Sequence, residues 1–139
     1  MPPARSKARK RALDVLFEAE QRDSPVLDLL AERITLGSPP VPGYAADLVR
    51  GVAVHKARID ELISQYAQGW TLDRMPAVDR NVLRLAIYEM MAMDTPPPVA
   101  IDEAIELARR FSGEESVQFV NGVLDAAKRE IEGAASHGQ

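Results

Sequence analysis

The chain contains no cysteine. That excludes disulfides, thiolate zinc sites and cysteine nucleophiles. Histidine is nearly as scarce: His55 and His137 are far apart in the sequence, which excludes a histidine-based metal cage. Aromatic residues are few, three Phe, three Tyr and one Trp, so there is no broad platform on which many nucleobases could stack. No apolar run approaches the roughly 18 residues needed to cross a bilayer, so no contact with a membrane interior is expected. The basic N-terminus has no hydrophobic stretch behind it and does not read as a secretory signal. No GxSxG, HExxH, P-loop or dinucleotide fingerprint is present. These absences together predict a cytoplasmic protein that is not an enzyme, with no catalytic residues, no metal and no cofactor.

What is present is a chain of 139 residues, 46% apolar and 27% charged, the size and composition of one globular domain with a real core. Net charge is −4, but it is unevenly spread. Residues 1–11 carry Arg5, Lys7, Arg9, Lys10 and Arg11 without a single acid, a charge of +5. The remaining residues hold 12 basic and 21 acidic side chains, a charge of −9. A basic arm on an acidic body suits a polyanion at one end and a basic protein elsewhere. A solvated tail is the plain alternative for the arm.

Apolar spacing is helical nearly everywhere, and no segment alternates convincingly with period two. A first helix runs from about residue 4 to 21 and begins in the basic arm. Ser24-Pro25 predicts an N-cap followed by proline in the first turn, opening a helix with Val26, Leu29, Leu30 and Ile34 inward. One long helix over roughly 44–68 turns Leu48, Val52, Ile59, Leu62, Ile63 and Tyr66 inward. The 79–93 segment is apolar over most of its circumference and predicts a buried central helix. Residues 99–111 place Ile101, Ala104, Ile105, Ala108 and Phe111 on one stripe, and 114–131 do the same with Val117, Val120, Leu124, Ala127 and Ile131. The breakers at 37–43, 69–76, 95–98 and 112–113 separate these segments. The expectation is an all-α domain over 1–139 with six or seven helices: the arm 1–11, a first bundle 12–68, a second bundle 79–132 and a polar tail 133–139.

The clustered carboxylates have a structural explanation. Asp102 and Glu103, and Glu114 and Glu115, are expected in first helical turns, where they complement the helix dipole. Glu106 precedes Arg109 and Arg110 at ion-pair spacing. Asn121-Gly122 looks like a hairpin turn but lies inside a helical stripe, so Gly122 is expected to admit a neighbouring helix at close range. In the arm, Arg5 and Arg9 lie one helical turn apart, as do Lys7 and Arg11, a spacing that can neutralise successive phosphates of a flexible strand. Five such contacts would give log affinity a slope of about −3.5 against log salt, at about −0.7 per contact.

Three blocks then speak together: Val82-Leu83-Arg84-Leu85-Ala86-Ile87-Tyr88-Glu89, Val99-Ala100-Ile101-Asp102-Glu103-Ala104-Ile105-Glu106-Leu107-Ala108, and Phe119-Val120-Asn121-Gly122-Val123-Leu124-Asp125. With the N-terminal Arg-Ser-Lys-Ala-Arg-Lys-Arg they closely resemble the bacterial NusB family of transcription antitermination factors, in the same order along most of the chain. The resemblance implies two helical subdomains packed roughly perpendicular. It implies binding of boxA RNA in ribosomal RNA transcripts, together with NusE, a basic small-subunit ribosomal protein, in the RNA polymerase antitermination complex. Carried over by position, Arg5, Lys7 and Arg9 fall on RNA-binding sites. Ser6 stands where the family often has another arginine, which leaves one phosphate contact missing or shifted to Lys10 or Arg11. Phe17 stands on a position commonly tyrosine, and Asp79 and Glu115 on acidic positions associated with the NusE interface. The 64–76 stretch matches the family poorly.

Other readings fit the residues as well: a helical adapter without an RNA role, a regulatory homodimer using the partner surface, or a relative of the RNA-binding domain of ribosomal RNA cytosine methyltransferases. No Rossmann-like unit precedes Gln139, which favours a free-standing factor. On the helical wheel, Leu13 and Phe17 sit at one edge of an apolar arc wider than a one-sided helix needs. Phe17 is therefore expected at the surface near Asp79 and Glu115, the alternative being a place in the core.

Overall fold

A computed structural model describes residues 3–137. Among the described residues are seven α-helices and one turn of 3-10 helix, with no strand. They are α1 (Pro3–Gln21), α2 (Val26–Leu36), α3 (Gly43–Val54), α4 (Lys56–Tyr66), α5 (Ala77–Ala92), α6 (Pro97–Phe111) and α7 (Glu114–His137), with the 3-10 turn at Leu72–Arg74. None of these helices is long and apolar enough to cross a membrane. The expected polar tail continues α7 as far as His137, and residues 1–2 and 138–139 lie outside the described residues.

Proline starts most of these helices. Pro25, Pro42, Pro76 and Pro96 are the N-caps of α2, α3, α5 and α6, each with φ between −54° and −59°. A helix start leaves its first N–H groups unpaired, so a residue without one loses nothing there. The proline carbonyls still accept the first helical bonds, from Leu29, Ala46, Arg80 and Ala100 at 3.0–3.1 Å. Ser24, expected as the N-cap of α2, is displaced from that role by Pro25, and no side-chain cap forms. At the other end of α2, Gly37 takes φ +71° and returns its N–H to Arg33, a left-handed stop that favours glycine.

α5 is the centre of the fold. Its residues are buried almost without interruption from Asp79 to Met90. It packs against α1, α3, α4, α6 and α7, and α6 and α7 pack on each other. The segment expected as one helix over 44–68 is two: the backbone turns at His55 (φ −101°, ψ 15°), and α4 leaves α3 to pack on α5 and α7. α4 thus sits with the later helices, although the expected boundary at residue 68 had placed it with the first bundle. One continuous core joins both groups.

Glycine usage also differs from expectation. A side chain at Gly122 would meet nothing within 4 Å, so this glycine admits no neighbouring helix. The close approach is at Gly51, where a Cβ would lie 1.9 Å from Cζ of Tyr88. Tyr88 stacks on His55 at 5.7 Å between ring centres.

Candidate nucleic-acid interface

The basic arm is the first three turns of α1. Helical geometry divides its cations: Arg5 and Lys7 are exposed, Lys10 and Arg11 are half-buried, and Arg9 turns inward with 2% of its surface accessible. The sequence placed Arg9 with the phosphate-binding cations. The structure places it against α5 and α6, with a hydrogen bond from each guanidinium nitrogen. Its Nε and Nη2 donate to the two carboxylate oxygens of Glu89 at 2.8 Å each, and Nη1 donates to Glu103 at 3.0 Å.

Three hydroxyls complete this cluster. Tyr44 and Thr95 donate their hydroxyls to Glu89 at 2.6 and 3.0 Å, and Ser6 donates to Glu103 at 2.6 Å. Burial alone would lower the Arg9 pKa, but the paired bond and charge of Glu89 outweigh it and hold the guanidinium above its ordinary value. Burial, and then donation to Glu89, raise the Tyr44 phenol. A bidentate pair of this kind fixes orientation strongly, and losing one member strands the other at a cost of about 3–5 kcal/mol. Arg9 is thus the strut that locks α1 to α5 and α6. Glu103 owes its place to that strut: α6 starts at Pro97, so neither Asp102 nor Glu103 lies in the first turn, contrary to expectation. Glu114 and Glu115 do open α7, and Glu106 meets Arg109 at 3.3 Å.

Three of the remaining arm cations, but not Arg5, border a groove of about 550 Å³ that also includes Ser6 and Asp14. Lys7, Lys10 and Arg11 of α1 line one side, Pro39, Pro40 and Pro42 another, and Arg110 comes from α6. Arg11 donates to the Pro39 carbonyl at 3.4 Å, and Lys10 is paired with Asp14 at 2.9 Å. Two aromatic rings stand at this end of the molecule, each beneath a cation. The Arg5 guanidinium lies 4.7 Å from the Tyr44 ring centre. Lys10 and Arg110 lie 5.5 and 4.9 Å from that of Phe111. Phe111, expected on the inner stripe of α6, is 40% exposed instead. The sequence pattern does not bring Arg110, Phe111 and Tyr44 to this end of the arm: Arg110 reads there as an ion-pair partner of Glu106, Phe111 as part of the inner stripe of its helix, and Tyr44 carries no signal of its own.

The acidic positions come together elsewhere. Asp79 and Glu115 line one pocket of about 250 Å³ with Ser116, walled by Trp70, Met75, Pro76 and Phe119. Asp79 is the third residue of α5, from which a carboxylate commonly reaches back to the N-cap N–H. Here the N-cap is Pro76, which has none. Ser116 donates to Oδ2 at 2.7 Å, and Oδ1, buried in a side chain only 3% exposed, has no partner. A buried acceptor left in this state costs about 1–3 kcal/mol. Phe17 is at the surface, 36% exposed and outside the buried core, but it does not line this pocket. It lies one turn before Glu20, which accepts bonds from Arg80 and Asn81 next to Asp79.

Comparison with known proteins agrees with the fold. The chain is 58% identical over 126 residues to the transcription antitermination protein NusB of Salinispora arenicola, covering 88% of this chain and 93% of that one. It is 56% identical over 127 residues to the protein of the same name from Acidothermus cellulolyticus, covering 91% and 88%. Among solved structures, Thermotoga maritima NusB superposes with a TM-score of 0.79 at 39% identity, over 94% of this chain and 92% of that one. The NusB-like chain in a complex of antitermination factors NusB and NusE with double-stranded RNA superposes with a TM-score of 0.80 at 27% identity, over 94% and 99%. The family model matching residues 6–129 is that of NusB, and the chain belongs to the NusB family.

Proposed function

We propose that this protein is a transcription antitermination factor that works by binding, with no catalytic step of its own. It holds boxA RNA of ribosomal RNA transcripts on the basic end of α1 and joins NusE within the RNA polymerase antitermination complex, in the cytoplasm. The observation that carries the reading is the conjunction of NusB membership over residues 6–129 with a cation-lined groove at the position of the basic arm.

Arg5, Lys7, Lys10 and Arg11 are the phosphate contacts, and Arg9 supports them from behind through Glu89 and Glu103. Four contacts rather than five lower the expected salt slope to about −2.8. Base discrimination by this chain alone is modest, because no aromatic ring among the described residues lines the groove, and Tyr44 and Phe111 lie under cations of the arm. NusE adds the remaining contacts, on a surface comprising Phe17, Asp79 and Glu115. The test is a titration of labelled boxA RNA against a scrambled strand, with and without NusE, at several salt concentrations. Tighter boxA binding that NusE sharpens supports the reading. Equal binding of both strands in the presence of NusE sinks it.

A further inference from the structure

We infer that the pocket beneath Trp70 and Phe119 is a receptor for a single arginine side chain of the protein partner. The inference rests on the proposed NusE partnership and specifies the chemistry of its recognition. Three observations carry it. The first is Asp79, a buried residue that lines the pocket and whose Oδ1 has no partner among the described residues. The helix start itself creates that condition, since Pro76 offers no N–H to the third residue of α5. The second is charge: the exposed Glu115 lines the same pocket as the buried Asp79, and among the described residues no cation lines it. The third is shape. Trp70 is half exposed and braced by Phe119, the rings meeting edge to face at 6.3 Å between centres. The pocket volume of about 250 Å³ suits one long side chain and is far too small for a helix.

Arginine fits better than lysine. Entering the pocket requires shedding water, and a guanidinium is more weakly hydrated than an ammonium. Its planar face can lie on the indole while its edge donates to the open Asp79 oxygen, a combination unavailable to a point charge. A second N–H remains to reach Glu115. Trp70 belongs to the stretch that matches the family poorly, so this arrangement is a property of this chain's own residues.

The chain holds a single tryptophan, so its fluorescence reports on this pocket alone. The protein is titrated with N-acetylarginine amide and, separately, with N-acetyllysine amide, while Trp70 emission is followed. The arginine compound is expected to saturate the signal at a concentration at least fivefold lower than the lysine compound. Asp79→Asn is expected to weaken the arginine response tenfold or more. A response that does not saturate, that is equal for the two compounds, or that survives Asp79→Asn unchanged overturns the inference. In a second arm, NusE binding is measured for Asp79→Asn, Trp70→Ala and Glu115→Gln, with circular dichroism and Tm as checks on folding. Losses of about tenfold for the first two, and less for the third, are expected. Wild-type NusE affinity in folded Trp70→Ala and Glu115→Gln proteins overturns the inference even if Asp79→Asn fails to fold. If the wild-type protein does not bind NusE at all, the proposed partnership fails, and the arginine titration still decides the pocket.

Discussion

Two buried charges in this molecule have opposite fates. Arg9 on α1 donates from each of its three guanidinium nitrogens, to Glu89 on both oxygens and to Glu103, and the same carboxylates also accept from Tyr44, Thr95 and Ser6. Asp79 on α5 is equally buried, yet one of its oxygens has no hydrogen-bond partner among the described residues. Desolvating a charge is costly in both places. At Arg9 the cost is offset inside the protein, and the result is a rigid helix that presents its other cations outward. At Asp79 it is not, and the deficit favours a partner that brings the missing donor. A satisfied buried charge thus marks architecture, and an unsatisfied one marks a contact still to be made.

Removing Arg9 tests the contrast most severely. Arg9→Met should cost about 3–5 kcal/mol by stranding Glu89, a fall in Tm on the order of 10 °C in thermal unfolding. Arg9→Met combined with Glu89→Met should recover part of that loss, because no charge is then left unpaired. By contrast, Asp79→Asn should change Tm little. Near-equal destabilisation by Arg9→Met and Asp79→Asn would abolish the distinction.

The outward cations come next. Lys7→Ala with Lys10→Ala should weaken RNA binding and reduce the salt slope by about 1.4, two contacts at about 0.7 each, while helix content is unchanged. An unaltered slope would remove these residues from the RNA surface. Phe17 is a gentler probe. A fully buried phenylalanine costs about 3–5 kcal/mol on truncation, and at its observed exposure Phe17→Ala should cost well under that. The variant should unfold nearly normally but lose NusE binding or self-association. A large fall in Tm, or normal association in the stable variant, would return Phe17 to the core.

The smallest effect is expected in acid. Glu20 joins α1 to α5 through Arg80 and Asn81. Burial alone would raise its pKa, but the bonds from Arg80 and Asn81 outweigh that and bring it below 4.5. The unfolded chain therefore binds this proton more readily than the folded one. The stability Glu20 contributes is present above about pH 4.5 and declines as pH falls through the folded value. Glu20→Gln should be less stable near neutrality and show a shallower acid limb in pH-dependent unfolding.

By itself the sequence determined the helical class, the buried central helix and the presence of a cationic end, because these follow from periodicity and local charge. Leu83, Ile87 and Val82 are buried as their spacing predicts, and Phe17 is at the surface as the width of its apolar arc predicts. Local pattern could not decide which cation points inward. Arg9 looks like its neighbours in a basic run, and only Glu89 and Glu103, 80 and 94 residues away, make its burial tolerable. The break at His55 is equally silent, since no proline or glycine occupies that position and the turn is decided by what α4 packs against. The same holds for the two glycines: Gly122 lies in a suggestive motif and has open space where a side chain would stand, whereas Gly51 has an unremarkable local sequence and lies against the ring of Tyr88. Helix formation is a local property of the chain. Pairing, close approach and an unmet carboxylate depend on residues distant in sequence, and only the tertiary structure decided them.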